Sequence, residues 1–137
     1  MKLIMSLILF VCLPLASASE DRYLVTAGIG IEEVKIGDPS LRSSMIAELA
    51  KRGVFLTQTE NTVSQILIPS EEFSTSMGLK VGGSLQTLLE MKGCGEISDA
   101  SIWKGGRRVG SAGLVISYKG IAFNVNENRI SAMIIAR

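Results

Sequence analysis

Apolar and polar positions follow one pattern twice along this chain. The stretch from Gly53 to Ile68 returns from Gly120 to Ile135 at a constant offset of 67 residues. The leading Gly, the Glu-Asn pair, a Ser and an Ile are identical, and most other columns exchange one apolar residue for another. Each copy predicts a β-hairpin: a strand, a tip at Glu60-Asn61 or Glu127-Asn128, and a return strand rich in β-branched and aliphatic residues. Asn tolerates positive φ and so suits the second position of a two-residue loop. Simple alternation puts Val63, Gln65 and Leu67 on one face and Ser64, Ile66 and Ile68 on the other. It likewise sets Ile130, Ala132 and Ile134 against Ser131, Met133 and Ile135. Both faces are substantially apolar, which places these strands in the middle of a sheet or against a partner.

The segments before each hairpin also correspond. Arg22 to Ile36 alternates loosely and predicts one or two extended segments leading to Gly37. Asp38 then reads as a helix N-cap with Pro39 at the first helical position. Leu41, Met45 and Leu49 fall at i, i+4 and i+8 and form one apolar stripe, and Gly53 stops the helix. Ser70 to Ser76 is a polar connector with Glu71 and Glu72. Leu79-Lys80-Val81-Gly82-Gly83-Ser84-Leu85 then echoes the region from Val34 to Leu41. Ser84 is the N-cap of a second helix, with Leu85, Leu88 and Leu89 as its buried stripe and Gly93 as its stop. Between Cys94 and Lys119 lies a segment that the first half lacks. It predicts a strand with Ile97, Ile102 and Trp103, a glycine tip at Gly105-Gly106, and a return that feeds the last hairpin. The chain therefore reads as α+β: two helix-plus-antiparallel-hairpin repeats, about 31–69 and 77–136, forming one antiparallel sheet with helices packed on one face.

The first 18 residues predict a cleaved signal peptide. Lys2 gives a positive start, Leu3 to Leu15 an apolar run, and Ala16-Ser17-Ala18 a small-x-small cleavage site. A run of that length falls short of the roughly 20 residues needed to span a bilayer. Cys12 follows Phe10-Val11, where a lipoprotein signal would have small residues. The mature chain, 19–137, is thus expected in the periplasm or outside the cell, with no integral membrane segment. Losing Lys2 leaves 13 basic (14 − 1) and 13 acidic side chains. That balance argues against a nucleic-acid partner, which a basic excess would attract. The sequence has no His, so the usual general base and the usual zinc ligand are both missing. Cys94 is the one mature cysteine and has no disulfide partner within the chain. No metal or cofactor is implied.

Candidate chemistry concentrates in the segment that one half has and the other lacks. Trp103, Lys104, Arg107 and Arg108 flank the glycine tip there, and Trp and Arg are favoured interface anchors. The alternative is a Trp packed over the sheet edge beside solvated cations. Cys94 follows a helix C-terminus, whose dipole opposes a thiolate, and reads as a small buried residue more readily than as a nucleophile. Glu60 and Glu127 would act as an acid/base pair only if they met across a cleft, and turn chemistry already explains their recurrence. Glu32-Glu33 and Glu71-Glu72 lie in no recognisable calcium loop.

Lys80-Val81-Gly82-Gly83-Ser84, Gly93, Tyr118-Lys119-Gly120-Ile121-Ala122-Phe123 and Arg129-Ile130-Ser131 together resemble bacterial exported domains related to the small outer-membrane assembly lipoproteins and the β-lactamase-inhibitor proteins. The first half shares the likeness through Lys35-Ile36-Gly37-Asp38 and Gly53. The resemblance implies a non-enzymatic envelope protein that works by binding another protein. A small periplasmic hydrolase using carboxylates or Cys94 is one alternative; a self-associating structural envelope protein is another.

Overall fold

A computed structural model describes residues 21–137. The leader read at 1–18, with Cys12, lies outside the described residues. Eight strands and two α-helices follow a short 3-10 turn, Asp21–Tyr23. The strands are β1 Leu24–Val25, β2 Phe55–Thr59, β3 Thr62–Ile68, β4 Ser74–Thr75, β5 Glu96–Lys104, β6 Arg107–Tyr118, β7 Ile121–Asn126 and β8 Arg129–Ile135. Helix α1 spans Ser43–Lys51 and α2 spans Leu85–Lys92. Six strands form an antiparallel sheet in the order β2-β3-β8-β7-β6-β5, and β1 pairs with β4 in a small parallel pair. The fold is α+β, as expected. Among the described residues, no helix is long and apolar enough to cross a membrane.

The two similar hairpins, β2–β3 and β7–β8, lie side by side in the sheet. β3 pairs antiparallel with β8, Ile66 opposite Ile135 and Leu67 opposite Ile134. Each tip turns through two residues of positive φ, 53° and 64° at Glu60-Asn61 and 51° and 64° at Glu127-Asn128. Those signs match a type I′ loop, whose twist suits the flanking strands. Expectation and structure part at the return strands. Gln58 faces Val63 while Thr57 faces Gln65, so Ser64 is an extra residue; Val125 faces Ile130 while Asn124 faces Ala132, so Ser131 is another. Each bulge reverses the alternation. Val63 therefore joins Ile66 and Ile68 in the core, and Ile130 joins Met133 and Ile135. Both bulge hydroxyls donate across the hairpin, Ser64 to Thr57 O at 3.1 Å and Ser131 to Asn124 O at 3.2 Å.

Helix α1 starts later than its N-terminal signal suggested. Its N-cap position is Arg42, with no side-chain cap, and Asp38 instead accepts the Lys35 N–H at 2.8 Å. The hairpin claims this segment's backbone: Gly37 donates to Val63 O, Val63 to Asp38 O, and Ser40 to Asn61 O. Those groups are unavailable to a helix until the chain clears the hairpin. The helix end follows the sequence. Val54 N–H bonds Leu49 O and Gly53 N–H bonds Ala50 O, a Schellman closure with Gly53 at φ 80° and with Leu49 and Val54 both buried. In α2, Ser84 accepts the Thr87 N–H at 3.1 Å, as its N-cap role requires. Gly93 ends the helix at φ 75°. Leu88 is buried, whereas Leu89, expected in the same stripe, is 37% exposed. The loop before α2 is tied to β8 as the loop before α1 is tied to β3: Gly82 donates to Ile130 O, Ile130 to Gly83 O, and Leu85 to Asn128 O.

Leu49 of α1 and Leu88 of α2 belong to one apolar cluster with the inward residues of the sheet, including Ile66, Ile116, Phe123 and Met133. The polar connector at 70–76 also contributes one core residue, Phe73, which is fully buried. Its ring meets Tyr23 edge-on at 5.2 Å, and the Arg52 guanidinium lies 5.5 Å and 5.7 Å from the two ring centres. Arg52 also pairs with Glu33, so a half-buried cation fastens the N-terminal segment to the end of α1.

Candidate functional site

The extra segment of the second half becomes a long hairpin, β5–β6, closed by Gly105 and Gly106 at φ 61° and 76°. β6 pairs with β7 only from Leu114 to Tyr118. Beyond that point, Ser101 to Lys104 and Arg107 to Ser111 pair only with each other and form a two-stranded ribbon past the end of β7. Gly113 marks the departure at φ 120°, where an added Cβ would collide with Val125 O. Both register irregularities fall on β6. Three steps along β6, from Leu114 to Ser111, face two along β5, from Asp99 to Ser101, and the two steps from Gly110 to Arg108 face the single step from Ile102 to Trp103. β5 itself is regular. Its alternation therefore sets Ile97, Asp99, Ser101 and Trp103 on one face and Glu96, Ser98, Ala100, Ile102 and Lys104 on the other.

The β5–β6 hairpin carries more exposed apolar surface than alternation requires. Trp103 is 63% exposed and Ile97 61%, with Ile102, Val109 and Leu114 also exposed. Ile97 lies opposite Ile116, a core residue, so the inward face of the sheet continues into solvent along its edge. Large apolar side chains clustered on a projecting element mark contact surfaces. Trp103 faces Arg108 and Lys104 faces Arg107 across the ribbon, so the register brings all four sequence-predicted site residues together. They are not equivalent. The Arg108 side chain turns back onto Asp99 and donates through Nε to Ser101 Oγ at 3.0 Å. Lys104 and Arg107 make no ion pair among the described residues. Ser111 Oγ donates to Asp99 Oδ1 at 2.6 Å. The Ser111 hydroxyl foremost, with the Arg108 guanidinium, holds the Asp99 carboxyl below the usual Asp range against a smaller opposing effect of burial. This Asp99–Ser101–Arg108–Ser111 network was not foreseen. Its members meet only through the β6 bulges, which no local motif announces.

Cys94 is exposed, where the sequence suggested a small buried residue. It sits in the short link between Gly93 and β5, at the sheet edge. Beside it, Tyr118 donates its hydroxyl to Gly93 O at 2.8 Å, and Lys92 Nζ lies 5.1 Å from the ring centre. Burial, and secondarily the nearby thiol, push the Tyr118 phenol above its ordinary value. Glu60 and Glu127 do not meet. β3 and β8 pair antiparallel through their far ends, so the two tips project from opposite ends of the sheet. A depression of about 590 Å³ beside the start of α2 is lined by Ser84, Leu85, Gln86, Leu89, Glu90 and Asn128, and contains neither Cys94 nor those two carboxylates. Among the described residues, no group of three or more His, Cys, Asp or Glu is placed to hold a metal ion. No protein-family model, characterised protein or solved structure matches the chain.

Proposed function

We propose that the protein is an exported, non-enzymatic protein-binding module of the cell envelope, acting as an inhibitor or accessory factor. Its contact element is the β5–β6 hairpin. The observation that carries this reading is the exposure of Trp103, Ile102 and Val109 on a ribbon that projects beyond β7, with Ile97 exposed further down the same edge strand. Lys104 and Arg107 beside the tip add positive charge to an apolar patch, a pairing common at interfaces. The signal read at residues 1–18 directs the module to the periplasm or outside the cell.

The same reading includes an origin by duplication of a unit about 31–69 into one about 77–136. Supporting it, the tip conformations, bulge serines and bulge hydrogen bonds of the two hairpins all correspond at an offset of 67 residues. The Leu67–Ile134 pair, itself separated by that offset, stands at the middle of the β3–β8 register. One half then keeps a plain hairpin and the other carries the contact ribbon.

Affinity capture from the envelope fraction of the source organism tests the binding role. The full chain should retain a reproducible protein, and the Trp103→Ala, Arg107→Ala double variant should lose it while keeping its far-UV circular dichroism. An equally efficient capture by the folded double variant would refute the assignment to this hairpin.

A further inference from the structure

We infer that β5 is a homodimerisation strand, two copies joining antiparallel about a two-fold axis through Ala100. The inference rests on the contact role proposed for the β5–β6 hairpin and names a second copy of this chain as its occupant. β5 is an edge strand of nine residues, Glu96–Lys104, with β6 on one side and, among the described residues, no strand on the other. Edge strands are ordinarily protected by proline, bulges, brevity or unpaired charge. β5 has no proline, and both bulges of its hairpin lie on β6. Its single interior charge, Asp99, is already engaged by Arg108 and Ser111.

The residues of this edge complement themselves when reversed. In a two-fold pairing centred on Ala100, Glu96 meets the partner's Lys104, and Lys104 meets the partner's Glu96. Ile97 meets the partner's Trp103, and Ser98 meets the partner's Ile102. Directly opposed residues share a sheet face, so the Ile–Trp pairs form on one side and the Glu–Lys pairs on the other. Each contact occurs twice, as an isologous interface demands. The pairing covers two of the most exposed apolar side chains, Ile97 and Trp103, and supplies the unused backbone groups of the edge with partners. The opposite edge offers no such match. Reversing β2, Phe55-Leu56-Thr57-Gln58-Thr59, opposes Phe to Thr and Leu to Gln and contains no charge.

Sedimentation of the full-length gene product, expressed with its own N-terminal segment, should show a dimer. Lys104→Glu turns two attractive cross-strand pairs into repulsive ones and should weaken the dimer roughly tenfold. The charge-swapped double variant Glu96→Lys, Lys104→Glu should restore it to within about twofold. Register is read with cysteines in a Cys94→Ser background, using copper phenanthroline as oxidant. Ala100→Cys places two thiols at directly opposed positions, about 4.5–5.5 Å between Cα atoms, and should cross-link. Ser98→Cys sets them roughly 13 Å apart and should not. A monomer at all concentrations, failure of the charge swap to rescue, or equal cross-linking at both positions would overturn the inference. A monomer that still captures an envelope protein through Trp103 removes the dimer and leaves the binding role standing; a monomer that captures nothing removes both.

Discussion

Deleting Ser131 and deleting Ile134 each remove one residue from β8, yet the consequences should differ sharply. Ser131 is the bulged residue, two of β8 against one of β7. Without it, Ile130 and Ala132 become neighbours in a regular ladder, and every inward side chain keeps its present face. The deletion loses the Ser131 hydroxyl bond to Asn124 O, at 3.2 Å. Such a bond contributes about 0.5–1.5 kcal/mol. It also removes one residue that folding must order, a gain of about 1–2 kcal/mol. The two nearly cancel, so stability should change by no more than about 1 kcal/mol. Deleting Ile134 has no such compensation, because it brings Ile135 into an outward position. Ile135 is fully buried and faces both Ile66 and Ile121. Losing that side chain from the core should cost about 2–5 kcal/mol, a large part of the 5–15 kcal/mol typical of a domain. Urea unfolding followed by far-UV circular dichroism measures both variants. Fluorescence is the poorer probe, since Trp103, 63% exposed on the ribbon, reports little about the core. Equal drops in midpoint for the two deletions would refute the assignment of Ser131 as a register-correcting insertion.

The remaining outcomes concern the ribbon and the anchor points of the core. Because the folded Asp99 carboxyl titrates below its ordinary value, its contribution to stability is present above the unfolded pKa of about 3.9 and fades as pH falls through the lower folded value. Its carboxyl carbon resonance should therefore titrate below the usual Asp range, and Ser111→Ala should raise the midpoint; an unmoved midpoint would contradict the leading role of that hydroxyl. Tyr118→Phe removes the bond to Gly93 O and should lower stability by about 1 kcal/mol in the same urea assay, whereas no change would show the contact to be idle. Phe73→Ala should cost about 3–5 kcal/mol, and a loss below about 1 kcal/mol would mean that the connector does not hold its ring in the core.

The chain announces its turns and helix ends more clearly than its strand faces. Glu60-Asn61, Glu127-Asn128, Gly53, Gly93 and the Ser84 cap are set by the conformational needs of a few adjacent residues, and each takes the role its local sequence implied. Faces are different, because counting by twos assumes an unbroken ladder. One extra residue at Ser64 and one at Ser131 moved Val63 and Ile130 across the sheet. A serine there was visible as part of the recurring pattern, but its meaning as a bulge needs the partner strand. The false start of α1 has the same origin. Asp38-Pro39 is a sound local helix signal, overruled when Val63 and Asn61 claim the backbone of residues 37–40.

The contact ribbon divides along this same line. Trp103 beside paired glycines and flanking cations was legible as a cluster, since all four residues lie within six positions of one another. That Arg108 is occupied while Lys104 and Arg107 face solvent depends on Asp99 and Ser111, which reach it only across a bulged ladder. Whether Ile97 is buried depends on still more distant information, the order of strands in the sheet. The sequence offers Ile97 as an ordinary strand apolar residue, and central strands cover such residues on both sides. Sheet order leaves β5 at the margin, beyond β6, so the side chain that would have been core becomes surface. The physical character of the site thus comes from an apolar strand placed last in its sheet, and the exposed Trp103 is one consequence of that placement.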